Sequence, residues 1–179
     1  RNVLGADYPV TCYSLTGYSG GGKQMIAQYE GENRDALLKA PRMYGLTQQH
    51  KHLKEMAALC ELETLPVFCP IVADFYSGME VTVPVFASDV KGSIEDIRSL
   101  YRGYYQKGLV RYVEDGDADG MLSAAALSGR DDMHISVFGN EERILLTARF
   151  DNLGKGASGA AIQNMNILLG CDQTTGLVI

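Results

Sequence analysis

No run of lysine and arginine occurs in the 179 residues, and the net charge is −6. An electrostatic footprint for nucleic acid is therefore not expected. No apolar stretch approaches the roughly 20 residues that a membrane-crossing helix needs, and no secretory signal opens the sequence. The cysteines Cys12, Cys60, Cys69 and Cys171 form no C-x-x-C pair. That usage suits a reduced, cytoplasmic protein. Cys12, Cys60 and Cys69 read as small core residues and Cys171 as exposed. A G-x-S-x-G nucleophile elbow is missing too. Histidine is scarce: His50, His52 and His134 are all there is.

What is present fits a soluble domain. Hydrophobic residues make up 46% and charged residues 21% of the chain, and the length suits one domain over residues 1–179. The chain starts at Arg1 and enters a strand-like segment almost at once, as a part of something larger would.

Tyr8 to Thr16 is rich in β-branched and aromatic residues and predicts a strand. A glycine loop, Gly17 to Lys23, leads to a helix over Gln24 to Glu30. A second helix is expected from Thr47, with Leu53, Met56, Ala57 and Leu59 on one face. Strands are expected at 65–72 and 79–86. Ser93-Ile-Glu-Asp96 reads as a capping box opening a helix to about Gln106. Further strands are expected at 109–113, 124–127, 134–138 and 143–150, with a tight turn at Gly139-Asn140. A last helix runs over 157–169 and stops at Gly170. Strands and helices that do not alternate strictly imply an α+β fold, a mostly antiparallel or mixed sheet with helices on one face.

Several motifs carry chemistry. Gly17-x-x-x-x-Gly22-Lys23 approaches a nucleotide P-loop, but Gln24 stands where a magnesium-ligating Ser or Thr belongs. The N–H groups of such a loop at a helix start can still hold an anion. Asp115-x-Asp117-x-Asp119-Gly120 copies half an EF-hand loop, yet Ala126 replaces the bidentate Glu, which leaves a solvated turn. His50-x-His52 on a helix would point its rings about 200° apart, so no metal site is expected. His50-Lys51-His52-Leu53-Lys54-Glu55 suits acid–base work instead. One imidazole would face a cleft, with Glu55 and Tyr44 positioning it or the substrate. Asp151 to Asn166 ends in a run of small residues that implies close packing against another surface.

Taken in order, Ser14-Leu-Thr-Gly-Tyr-Ser-Gly-Gly-Gly-Lys23, His50-Lys-His-Leu-Lys-Glu55, Phe68-Cys-Pro70 with Gly78-Met79, and Asp151-Asn-Leu-Gly-Lys-Gly-Ala-Ser-Gly-Ala-Ala-Ile-Gln-Asn164 form a set. The set resembles the N-acetyl-γ-glutamyl-phosphate reductases, NADP-dependent enzymes of arginine biosynthesis. The likeness covers this whole chain but only the second half of such an enzyme, a substrate-binding and dimerisation domain of the glyceraldehyde-3-phosphate dehydrogenase type. It implies His50 as the catalytic histidine, activating a cysteine thiol and protonating the thiohemiacetal oxygen. Tyr44, His52, Glu55, Ser19, Gly20 and Lys23 would bind substrate. Asn152 and Lys155 would bind the cofactor, and with the helix at 157–170 they would meet an N-terminal NADP-binding Rossmann domain. Neither G-x-G-x-x-G nor Asn-Pro-Gly-Cys occurs here, so the resemblance implies no NADP(H) bound to this chain and no turnover by it alone. Pro70-Ile71 and Ser77-Gly78 depart from the Pro-His and Arg-Gly of many members, which leaves substrate contacts open there. Expected partners are a small acyl phosphate, the cofactor domain and further copies of the chain. The alternatives are a non-catalytic dimerisation or anion-binding module, and the matching domain of an aspartate-semialdehyde dehydrogenase-like enzyme.

Overall fold

Small and β-branched residues alternate with Tyr13 and Leu15 along Thr11–Gly17, and that alternation builds the central strand β1, with Cys12, Ser14 and Thr16 buried and Tyr13 exposed. The computed structural model describes residues 3–179. Six further strands complete one sheet: β2 (Arg42–Met43), β3 (Val67–Ala73), β4 (Met79–Phe86), β5 (Val110–Tyr112), β6 (Met133–Gly139) and β7 (Arg143–Phe150). Their order is β2-β3-β1-β4-β7-β6-β5. β1 with β3 and β5 with β6 are parallel, and every other pair is antiparallel. The sheet is mixed, as the uneven alternation of elements implies.

Helices α1 (Gly22–Glu30), α2 (His52–Cys60) and α3 (Ile94–Tyr104) cover one face. α1 lays Tyr29 and Met25 against Val72. α2 seats Leu53 and Met56 on Cys12, Phe68 and Val81. α3 buries Ile94 and Ile97 against Val85, Val137 and Ile144. The register puts all these strand residues on the same side. The opposite side leaves Tyr13, Val67, Phe86 and Leu145 exposed.

The capping box at Ser93 forms as expected: Asp96 N donates to Ser93 Oγ at 3.2 Å, and Ser93 N to the Asp96 carboxylate at 2.8 Å. Those bonds lower the Asp96 pKa. The last helix, α4 (Gly159–Leu168), is shorter than expected because a π-helical turn, Gly154–Ser158, precedes it; Gly170, at φ +69°, ends it.

Other expectations fail for physical reasons. Residues 124–127 form no strand; Ser123 and Leu127 carbonyls accept from Ala126 and Arg130 N–H groups in successive turns, and these local bonds win over a ladder. α2 begins at His52, not Thr47, because Gln48 takes φ +54°. Leu59 is 85% exposed, off the apolar face it was assigned to, and Cys60 is also exposed. The Asp115–Gly120 turn is tied down: Asp117 accepts from buried Arg149 at 2.6 Å, which lowers the Asp117 pKa.

Candidate active site

At the end of β1 the chain must turn hard against a neighbour. Gly17, Tyr18 and Ser19 donate their N–H groups to Gly78, Phe75 and Tyr76 carbonyls at 2.9–3.0 Å. A Cβ on Gly17 would lie 2.5 Å from the Tyr76 oxygen, so only glycine permits this approach. Asn152, just past β7, clamps the turn from the other side. Its amide donates to Ser19 Oγ at 2.9 Å, and its carbonyl accepts from Gly78 N at 2.8 Å. Asp151 is buried and spends its carboxylate on Leu153 N, Ser77 Oγ and Gly129 N. The Asp-Asn pair is thus a structural knot joining β7 to the glycine turn, which the small residues of that segment had not shown.

Past the turn, α1 starts at Gly22 with no side-chain cap and no acidic residue in its first turn. The Gly22 N–H turns back to Ser19 O, so only the N–H groups beyond it are open to water or an anion. This opening faces a cleft of about 620 Å³.

The other wall is the segment 44–52. Pro70 lacks an N–H, so β2 cannot extend its ladder on β3 past the Tyr44 N to Pro70 O bond of 3.0 Å. The Gln48 side chain takes over. Its Nε2 donates to Phe68 O at 2.8 Å and its Oε1 accepts from Phe68 N at 3.0 Å, as a strand neighbour would. Sequence reading missed Gln48, since nothing local marks a side chain that replaces a strand. Its clamp sets His50 in an aromatic frame: the Phe68 ring stands edge-on at 5.1 Å between centroids, and Tyr44 lies at 6.1 Å.

His50 is half-buried and lines the cleft. Its Nδ1 accepts the His52 backbone N–H at 3.3 Å, which leaves the proton of the neutral ring on Nε2. Burial lowers its pKa, the positive neighbours His52 and Lys51 lower it further, and Glu55 opposes them. The ring is therefore neutral at pH 7. The two imidazoles are not turned apart as a helix would turn them. Because His50 precedes α2, their centroids sit 4.7 Å apart.

Of the residues singled out from sequence, Ser19, Gly20, Tyr44, His50, His52 and Asn152 line the cleft together. Lys23 and Glu55 are exposed outside it; Lys155 bonds Gln163. Burial lowers the Lys155 pKa. The small residues at Gly154 and Gly159 are explained within this chain, since each packs on the 130–131 turn. Met165, Ile167, Leu168 and Leu169 of the same segment remain exposed. Burial pushes the Cys12 thiol up to about 11, which rules it out as a nucleophile at neutral pH.

Against known proteins, the family described as semialdehyde dehydrogenase, dimerisation domain, matches residues 1–152. N-acetyl-gamma-glutamyl-phosphate reductases of Brucella ovis and Brucella suis are 42% identical over 176 residues, covering 94% of this chain and 57% of theirs. The chain thus spans little more than half the length of these curated relatives. Aspartate semialdehyde dehydrogenase II from Vibrio cholerae superposes with a TM-score of 0.63 at 15% identity, over 90% of this chain and 54% of that one. The Francisella tularensis aspartate semialdehyde dehydrogenase gives 0.60 at 14%, over 89% and 57%. These structures share the fold, that of the second domain of glyceraldehyde-3-phosphate dehydrogenase-like enzymes. A family match over residues 1–152, on a mixed sheet with three helices on one face, means that this chain belongs to the semialdehyde dehydrogenase dimerisation-domain family.

Proposed function

We propose that this chain is the substrate-binding and acid–base half of an NADPH-dependent acyl-phosphate reductase that makes N-acetylglutamate semialdehyde for arginine biosynthesis. One observation carries the reading: a neutral imidazole, fixed at Nδ1 and framed by Phe68 and Tyr44, stands in the same cleft as an uncapped helix start. The first suits an acyl oxygen that gains charge, the second a phosphate that departs.

In such a reaction a thiolate forms a C–S bond to the acyl carbon as the C–O bond to phosphate breaks. Hydride then adds to the thioester carbon, and the resulting oxyanion is protonated before thiol and aldehyde separate. Nε2–H of His50 donates to that oxygen as it becomes negative. To accept the thiol proton at Nε2, the ring must shift its own proton to Nδ1. That forfeits one long bond to His52, about 1 kcal/mol, so a single nitrogen serves both steps. Burial by Tyr44 and Phe68 keeps the ring dry enough for such bonds to be strong.

A nicotinamide cofactor would supply the hydride. Gly20 to Gly22 fit its approach, being exposed, with no atom within 4 Å of a Cβ at Gly22. Asn152 and Lys155 spend polar atoms within the chain, which weighs against their earlier assignment to the cofactor. The thiol and the cofactor site belong to an N-terminal domain in this reading. The isolated chain is then inactive.

The test is the full-length protein with an N-acetylglutamyl phosphate. His50→Gln should cost roughly 10²–10⁴-fold in rate. Comparison with an aspartyl phosphate separates the aspartate-semialdehyde dehydrogenase alternative. A second reading, dimerisation or anion binding without catalysis, is favoured by the uncovered sheet face with Tyr13, Phe86 and Leu145. It expects full rate from His50→Gln, and that result would refute the catalytic reading. The same face is where a second copy docks in either case. No helix of the described residues is long and apolar enough to cross a membrane, and the proposed place of work is the cytoplasm.

A further inference from the structure

Ser14 lies mid-strand in β1 on the helix-covered face, in register between Pro70 of β3 and Val81 of β4. It is 1% exposed, lines the same cleft as His50, and its hydroxyl meets no hydrogen-bond partner among the described residues. A buried hydroxyl without a partner is unfavourable, and alanine would serve packing as well or better. An orphaned donor and acceptor on the floor of a cleft is explained by what enters the cleft.

The surroundings select the chemistry of that group. Phe68, Val72 and Met79 make the floor around Ser14 apolar. The features that favour an anion, Lys51 and the N–H groups that open α1, are exposed at the rim. A charged group drawn down to Ser14 would lose its hydration with no opposite charge beside it. Among the described lining residues there is no Asp or Glu, so a free ammonium would find no partner in the cleft. A neutral amide escapes both penalties, because a hydroxyl can donate to its carbonyl oxygen or accept from its N–H.

We propose that Ser14 is a specificity-determining residue that hydrogen-bonds a neutral amide on the substrate's acyl chain, so that the cleft takes N-acylated chains ahead of free α-amino ones. This deepens the proposed function and rests on it. The Gly45 turn links the two places: a Cβ there would lie 3.3 Å from Pro70 Cγ and 3.9 Å from His50 Cδ2. The neighbour of Ser14 on β3 therefore packs beneath the imidazole segment. Ser14 and His50 thus line one cleft, with the Pro70–Gly45 contact between them.

The test uses the full-length protein in the aldehyde-oxidising direction, with NADP⁺ and phosphate. One substrate is 2-acetamido-5-oxopentanoate; the other is 5-oxopentanoate, the same chain without the amide. Ser14→Ala should lower kcat/KM about 10-fold for the first and less than about 2-fold for the second. The thermal midpoint should hold or rise, because an unpaired hydroxyl has been removed. Ser14→Cys, close in size and a weak donor, should fall between. Equal losses on both substrates, or no loss on either, would overturn the inference. A fully active His50→Gln variant, or an inactive unaltered protein, defeats the functional reading and this inference with it. A crippled His50→Gln beside an undiscriminating Ser14→Ala defeats this inference alone.

Discussion

Gln48 offers the sharpest test of how the fold holds its imidazole. Its two bonds to Phe68, 2.8 and 3.0 Å, close the edge of β3 where Pro70 stops the ladder. It makes them at φ +54°, a left-handed conformation that costs a side-chain-bearing residue about 1–2 kcal/mol. Gln48→Ala removes both bonds, each worth about 1 kcal/mol net, and keeps the strained backbone. The expected loss is about 2 kcal/mol, or roughly 4–8 °C in thermal midpoint for a chain of this size. Gln48→Gly loses the same bonds but relieves the strain, and should recover about 1 kcal/mol relative to alanine. Gln48→Glu keeps the acceptor for Phe68 N and sets a carboxylate oxygen against Phe68 O, so it should be no better than alanine. Hydrogen exchange reads the effect locally: the Phe68 amide should lose about 10-fold or more of its protection in the alanine variant. Unchanged exchange at Phe68 in Gln48→Ala, or a glycine variant less stable than alanine, would refute the account.

The remaining predictions concern charge, surface and thiols. With only His50, His52 and His134 in the chain, ring-proton NMR can follow each titration. His50 should titrate below 6.5, Lys51→Met should raise it and Glu55→Gln lower it. Because the folded value is the lower one, the unfolded chain binds more protons between the two values. Stability from His50 is then complete above about pH 6.5 and is lost as pH falls through the folded value; the midpoint of His50→Gln should fall less steeply over that window, the remainder coming from His134, whose pKa burial also lowers. Asp117→Asn leaves Arg149 without its carboxylate partner, at a cost of about 1–3 kcal/mol after allowing for the partial exposure of Asp117. A midpoint unchanged by that substitution at pH 7 would contradict the ion pair. Leu145→Lys or Tyr13→Lys on the uncovered face should raise the dissociation constant of any self-association in sedimentation equilibrium, while Leu59→Lys, on a helix exposed elsewhere, should not. Thiol titration should find Cys60 and Cys171 fast and Cys12 slowest, in line with their exposure and the raised Cys12 pKa.

Much of the fold was legible because it rests on local signals. β4 and β7 fall at 79–86 and 143–150, where β-branched runs and the Gly139-Asn140 turn bound them. Ser93 and Asp96 announce α3 through a reciprocal bond three residues long. Signals failed where a local pattern had two solutions. The small apolar residues 124–127 suit a strand or a chain of turns, and only the packing of Ala124 under Gly78 distinguishes them. The candidate site was legible in the same uneven way. Imidazoles, a glycine turn and an Asp-Asn pair stand out by type. Gln48 and Ser14 do not, since one acts by imitating a strand and the other by having nothing to bond.

The placement of His50 outside α2 decides more than its angle. A helical His50 would have carried its Nδ1 along the helix surface and turned away from His52. In the observed turn the helix begins one pair of residues later, and its first free N–H groups are those a cap must satisfy. His50 Nδ1 satisfies one of them, that of His52. The proposed acid–base group thus also caps the helix that follows it. Removing the ring therefore takes a hydrogen bond from α2 and, on the proposed function, chemistry from the cleft. His50→Asn separates the two, because asparagine is among the best capping residues yet has no proton to exchange near neutrality. It should restore the helix stability that His50→Ala loses, about 1 kcal/mol, while leaving the full-length protein as slow as the alanine variant. If asparagine restored rate along with stability, the imidazole would be a cap and nothing more.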